Sequence, residues 1–140
     1  MNADVFIDTN IFVYQLEVQD ERKSNIANRL IREGIETGNA CISFQVIQEC
    51  LNTIIRKAEI CLTKEQACRY LDVVLSPLLQ IYPGIDFYRK GLEIQARYHF
   101  GFYDSLIIAA ALESGCKVLL SEDLQHGQQI EGLTIQNPFI

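Results

Sequence analysis

The sequence predicts an α/β fold: a three-layer sandwich with a central, mainly parallel sheet of four to five short strands flanked by helices. Three observations carry this. Val5-Phe6-Ile7 and Lys117-Val118-Leu119-Leu120-Ser121 are short apolar runs bounded by polar residues, the pattern of strands buried on both faces. Longer segments with apolar residues at helical spacing lie between the strand-like runs. Strand and helix patterns alternate along the chain, which favours parallel pairing through right-handed crossovers.

The first strand, Val5 to Ile7, ends at Asp8-Thr9-Asn10, and a short helix starts near Ile11. Asp20 to Lys23 reads as a charged break. Ser24 to Gly38 follows as a helix, with Ile26, Ala27, Leu30, Ile31 and Ile35 in register and a terminal glycine. Ala40-Cys41-Ile42 is a second strand. Ser43 can cap a helix to about Ala58 whose apolar stripe is Ile47, Leu51, Ile54 and Ile55. Thr63 and Gln66 form a capping-box pattern for the next helix. Its core face is Ala67, Leu71, Val74 and Leu78, and Pro77 ends or kinks it. Gln80-Ile81-Tyr82 is a third strand, and Asp86 to His99 a helix. Tyr103 to Ser114 is apolar nearly all round, the mark of a helix buried on most sides, and Gly115 stops it. Lys117 to Ser121 is a strand followed by Glu122-Asp123, and Leu133-Thr134-Ile135 an edge strand. With no repeat, linker or low-complexity stretch, residues 1–140 read as one domain.

Composition narrows the class. The 140 residues are 49% hydrophobic and 21% charged, as in globular proteins. No apolar run approaches the ~20 residues that span a bilayer, and MNADVFIDTN lacks the features of a secretory signal. A cytoplasmic location away from membranes is the expectation. Five cysteines with no CxxC pair argue against a disulfide framework and a thiolate zinc site; Cys50, Cys68 and Cys116 are expected to be small buried hydrophobes. His99 and His126 have no metal-ligand spacing. The net charge of −6 disfavours a generic nucleic-acid binder, but is compatible with acids gathered at a metal site.

Several of those acids sit in unusual places. Asp8 ends a buried strand, where it could face a ligand site or cap the next helix. Asp123, beside Glu122, ends another; if the two strands are parallel neighbours, both carboxylates reach the same sheet edge. Asp104 lies in the first turn of the most apolar helix with Ile107, Ile108 and Ala111 on its face, so it is either a helix-dipole partner or a member of a site. Glu49 points away from its helix's stripe and reads as solvent-exposed. Clustered carboxylates repel one another, and a hard divalent cation such as Mg²⁺ makes such a cluster tolerable and suits phosphoryl chemistry. The chain has no Walker loop, GxGxxG or GxSxG motif.

VFIDTNIFVY, SFQVIQE ending at Glu49, FYDSLIIAAALESGCKVLLSEDLQHG and the terminal GLTIQNPF together resemble the PIN-domain nucleases, in particular the VapC-type toxins of toxin–antitoxin pairs. The resemblance runs over essentially the whole chain. It implies that Asp8, Glu49, Asp104 and Asp123 are catalytic and coordinate Mg²⁺ or Mn²⁺. It implies that Asn10 orients ligands, that Ser121 supports them from behind, and that Glu122 stands close by. The implied reaction is metal-dependent hydrolysis of RNA phosphodiesters, leaving a 5′-phosphate and a 3′-hydroxyl. The implied partners are an RNA substrate, a small antitoxin whose tail enters the acidic groove, and a second copy in a homodimer.

Arg22, Lys23, Arg56, Lys57, Arg89 and Lys90 are the basic pairs available to RNA, or else solvated helix faces. Tyr98, Phe102 and Tyr103 could stack on bases or belong to the core or a dimer contact. Two other readings stay open. One is a PIN-like module that binds RNA or protein without cutting. The other is a haloacid-dehalogenase-type phosphohydrolase, which Asn10 disfavours because that chemistry needs a second Asp two residues after the first.

Overall fold

The computed structural model describes residues 3–140. Its elements run β1 (Val5–Ile7), α1 (Thr9–Leu16), α2 (Glu21–Thr37), β2 (Ala40–Ser43), α3 (Phe44–Arg56), α4 (Lys64–Tyr70), β3 (Leu79–Ile81), α5 (Ile85–Tyr98), α6 (Phe102–Glu113), β4 (Val118–Leu120), β5 (Gln129–Ile130) and β6 (Leu133–Gln136). The sheet order is β3-β2-β1-β4-β6-β5, parallel throughout except for β5, which pairs antiparallel with β6. The α/β sandwich with a mainly parallel sheet is therefore as the sequence predicts.

The order places β1 at the centre. The chain steps outward from it through β2 and β3, then crosses back so that β4 pairs on its other side, with Val5, Phe6 and Ile7 opposite Val118, Leu119 and Leu120. Such a reversal opens a crevice at the carboxyl ends of the two strands. Phe6, Ile7, Leu119 and Leu120 are buried, which accounts for the unbroken apolar runs. Helix α6 is buried from Ser105 to Ala111. At Gly34 a Cβ would lie 2.5 Å from Ala40 Cβ, so glycine is what lets α2 close on β2.

Four local expectations are corrected. Asp20 to Lys23 is not a break: Asp20 caps α2 by accepting from Lys23 N, and the helix begins at Glu21. The Thr63–Gln66 capping box is present, but a π-helical turn over Leu71–Leu75 follows α4. Its wider turn shifts the phase, so Tyr70, Leu75 and Leu78 are buried while Ala67, Leu71 and Val74 are half-buried. Cys68 is exposed, and Cys41 joins Cys50 and Cys116 as a buried thiol; all five cysteines are free. The last long strand is not at the edge, because β5 flanks it through a two-residue turn in which Glu131 and Gly132 both have positive φ. Among the described residues, no helix is long and apolar enough to cross a membrane.

Candidate active site

A polar groove of about 490 Å³ opens at the carboxyl ends of β1 and β4. Asp8, Glu49, Asp104 and Asp123 all line it, together with Thr9, Asn10, Tyr14, Glu17, Asn52, Thr53, Lys57 and Glu122. The four acids come from the ends of two strands and from two helices. A second cleft, of about 250 Å³ between α2 and the sheet, is lined mainly by apolar residues and carries a single acid, Glu33.

Asp8 makes the cap the sequence allowed, and it also lines the groove. It caps α1, accepting from Thr9 N at 2.7 Å, and its other oxygen accepts from Ser121 Oγ at 2.8 Å. It is only 7% exposed. Burial pushes its pKa from 3.8 to about 6, helped by the charges of Glu49 and Asp123 and opposed by the bonds from Ser121 and Thr9.

Glu49 is not solvent-exposed; it is half-buried at the groove. The core face of α3 is Val46, Cys50 and Ile54, with Ile55 exposed, one position round from the stripe expected. That offset turns Glu49 from the outer face to the border of the buried one. Thr9 Oγ1 donates to its Oε1 at 2.8 Å, and Gln45 Nε2 to its Oε2 at 3.3 Å.

Asp104 is exposed at the first turn of α6, not on the packed face. The groove still encloses its carboxyl enough that desolvation raises its pKa, with the charges of Asp123 and Glu49 adding. Asp123 is oriented by Asn10, whose Nδ2 donates to Oδ2 at 2.9 Å, and by Ser121 Oγ, which accepts from Asp123 N at 3.2 Å. Glu122 lines the groove beside this cluster, but its carboxylate is committed to other partners, accepting from Tyr14 OH at 2.6 Å and from Lys23 Nζ. Desolvation pushes the Glu122 carboxyl up, but the Lys23 and Tyr14 bonds outweigh it and hold it below its usual range.

The donor set is all hard oxygen, and no Lys or Arg among the described residues pairs with any of the four acids. Their mutual repulsion is what a divalent cation relieves, so the residues suit Mg²⁺ or Mn²⁺. As they stand, three of the four carboxylates are taken up by neighbouring hydrogen bonds. No three His, Cys, Asp or Glu side chains among the described residues converge as a ready-made cage.

Most of the expected basic contacts are engaged elsewhere. Lys23 pairs with Glu122, Lys57 with Glu17, Arg89 with Asp86 and Lys90 with Glu131, while Arg22 donates to Phe139 O. Arg56 forms no ion pair among the described residues, and with Asn52, Thr53 and Lys57 it lines a pocket that shares three of these residues with the acidic groove. Phe102 and Tyr103 are exposed just ahead of Asp104, whereas Tyr98 packs on the core. Thr9 and Gln45 escaped the sequence reading. Gln45 lies one helical turn before Glu49, on the same face, which is the signal that could have found it.

No curated protein sequence matches the chain significantly. Among solved structures it is similar to a toxin–antitoxin complex from Klebsiella pneumoniae, with a TM-score of 0.66 and 18% identity, covering 96% of this chain and 97% of that one. It is similar to VapBC2 from Rickettsia felis, bound there to a DNA fragment from its promoter, with a TM-score of 0.65 and 22% identity over 95% and 97% of the two chains. It is also similar to VapC20 of Mycobacterium tuberculosis, a Sarcin-Ricin loop cleaving toxin, with a TM-score of 0.59 and 17% identity over 82% and 86%. At these identities the likeness is one of fold. The sequence model of the PIN domain matches residues 5–128, from β1 past Asp123, and the chain belongs to the PIN domain family.

Proposed function

We propose that the chain is a metal-dependent ribonuclease, the toxin of a toxin–antitoxin pair, with Asp8, Glu49, Asp104 and Asp123 as its catalytic acids. One observation carries the reading: four carboxylates from four separate elements line one groove at the β1/β4 switch point, and no Lys or Arg among the described residues pairs with them. The family membership supports it, as does the fold shared with VapC20, a Sarcin-Ricin loop cleaving toxin.

In this reading the acids hold Mg²⁺ or Mn²⁺, which polarises the scissile phosphate and acidifies the attacking water. The chain's own residues hold the acids. Ser121 and Thr9 N orient Asp8, Thr9 Oγ1 orients Glu49, and Asn10 orients Asp123. RNA enters along the exposed face of α3. Glu49, Asn52, Thr53 and Arg56 follow one another at i, i+3, i+4 and i+7, a track of about 10 Å at 1.5 Å rise per residue. Arg56 takes a backbone phosphate beside the scissile one, and Phe102 and Tyr103, exposed just ahead of Asp104, offer rings for stacking.

The antitoxin of this reading is a small protein whose basic tail enters the acidic groove. The homodimer has a stripe available in exposed Ile85, Tyr88 and Leu92 along one face of α5. A cytoplasmic setting goes with an RNA substrate.

The unconverged carboxylates favour the second reading, a PIN domain that binds without cutting. Purified protein is incubated with total cellular RNA and Mg²⁺, Mn²⁺ or chelator, beside Asp8→Asn. Discrete metal-dependent fragments, lost in the variant, are expected. Intact RNA with folded, inhibitor-free protein, and equal RNA affinity in both proteins, would favour the binding module.

A further inference from the structure

Gln45 is 5% exposed near the start of α3, and its amide has two neighbours of the same kind. Nε2 donates to Glu49 Oε2 at 3.3 Å and to Tyr103 O at 3.2 Å. Both partners are acceptors, so the amide has one workable orientation; turning it would set Oε1 against two oxygens. Oε1 itself is buried and accepts from no protein group. Packing alone does not account for such a residue. A Leu or Met would fill the space without burying an amide oxygen that no protein group bonds.

The two partners explain the choice. Tyr103 immediately precedes Asp104, so one amide links the carboxylate of Glu49 to the backbone that brings Asp104 into the groove. The two helices share β2 as a neighbour, but each packs most heavily on a different helix, α3 on α1 and α6 on α5. Glu49 also has three rotatable side-chain bonds, and fixing both of its oxygens selects one rotamer among many. Thr9 fixes one oxygen and Gln45 the other.

We propose that Gln45 is a positioning residue that holds the Glu49 carboxylate in register with Asp104, so that two acids on separate helices present to one divalent cation. The proposal rests on the reading that these acids bind a metal. It assigns Gln45 no contact with substrate or with the metal.

The test is Mn²⁺ binding by titration calorimetry to four proteins: wild type, Gln45→Met, Glu49→Ala and the double variant. Met keeps the length and volume and removes the donors. Expected is cooperative melting of Gln45→Met, Mn²⁺ affinity about tenfold weaker than wild type, and no further loss when the Met change is added to Glu49→Ala. For RNA cleavage, kcat should fall with KM unchanged. Equal Mn²⁺ affinity in wild type and Gln45→Met overturns the proposal alone. So does a loss that is additive with Glu49→Ala, which is the signature of a packing effect. A wild type that binds no Mn²⁺ overturns the metal reading and this proposal together. If Gln45→Met does not melt cooperatively, Gln45→Leu takes its place in the same cycle.

Discussion

Ser121 Oγ donates to Asp8 Oδ2 at 2.8 Å, and the same oxygen accepts from Asp123 N at 3.2 Å. One fully buried hydroxyl thus joins the acids at the ends of β1 and β4. Its bond favours the ionised form of Asp8. Ser121→Ala should therefore push the Asp8 pKa higher and lower cleavage about tenfold near neutral pH, with a smaller loss in alkali. The pH dependence of kcat/KM checks this. An acid limb that does not move would show that Ser121 does not govern Asp8.

The raised pKa of Asp8 also has a consequence for stability. The folded, metal-free chain holds this proton more tightly than the unfolded chain. The stability associated with it is full below the ordinary value of 3.8 and is lost as the pH rises through about 6. At about 1.4 kcal/mol per pH unit the loss is roughly 3 kcal/mol by pH 7.5. Asp8→Asn keeps a good cap and cannot ionise. Denaturant unfolding in chelator should find the variant more stable than wild type at pH 7.5, with the difference gone at pH 4. A variant no more stable at pH 7.5 contradicts the assignment.

Glu122 and Asp123 are adjacent in sequence and have opposite commitments. Glu122 is bound by Tyr14 and Lys23, and Phe139 packs edge-on against Tyr14. Glu122→Gln should leave Mn²⁺ affinity within about threefold of wild type, with a stability change of about 1 kcal/mol or less for a partly exposed ion pair. Asp123→Asn should weaken Mn²⁺ binding at least tenfold. Calorimetric titration of both variants decides it. Equal losses would make Glu122 a ligand.

Arg56 lies seven residues, about two helical turns, beyond Glu49 on α3 and has no ion-pair partner among the described residues. Arg56→Ala should weaken binding of a single-stranded RNA oligonucleotide. It should also flatten the dependence of log K on log salt by about 0.7, the effect of one phosphate contact. Fluorescence anisotropy across a salt series, with Ca²⁺ in place of Mg²⁺, measures both. An unchanged slope would take Arg56 off the RNA path.

Much of the chain was legible in its sequence because its signals are local. The apolar runs at Val5 and Lys117, the Thr63–Gln66 box and the all-apolar helix before Gly115 each depend on residues a few positions apart, and each stands within a residue or two of its expected place. The sequence also put Asp8 and Asp123 at strand ends, where carboxylates are thrown toward a ligand edge. It misjudged Glu49 because α3 carries apolar residues at both 46-50-54 and 47-51-54-55, and periodicity cannot tell which set meets the sheet.

What the sequence determined by itself was the succession of strands and helices and the acids at their ends, since backbone periodicity and capping act over a single turn. Only the tertiary structure decided that β1 lies beside β4, that Glu49 turns inward, that Lys23 is spent on Glu122 and that Gln45 spans α3 and α6. Strand neighbours and helix phase are chosen by burial summed over the whole core. Ser121 reaches Asp8, and Gln45 reaches Tyr103, only after that choice has brought distant parts of the chain within a hydrogen bond of each other.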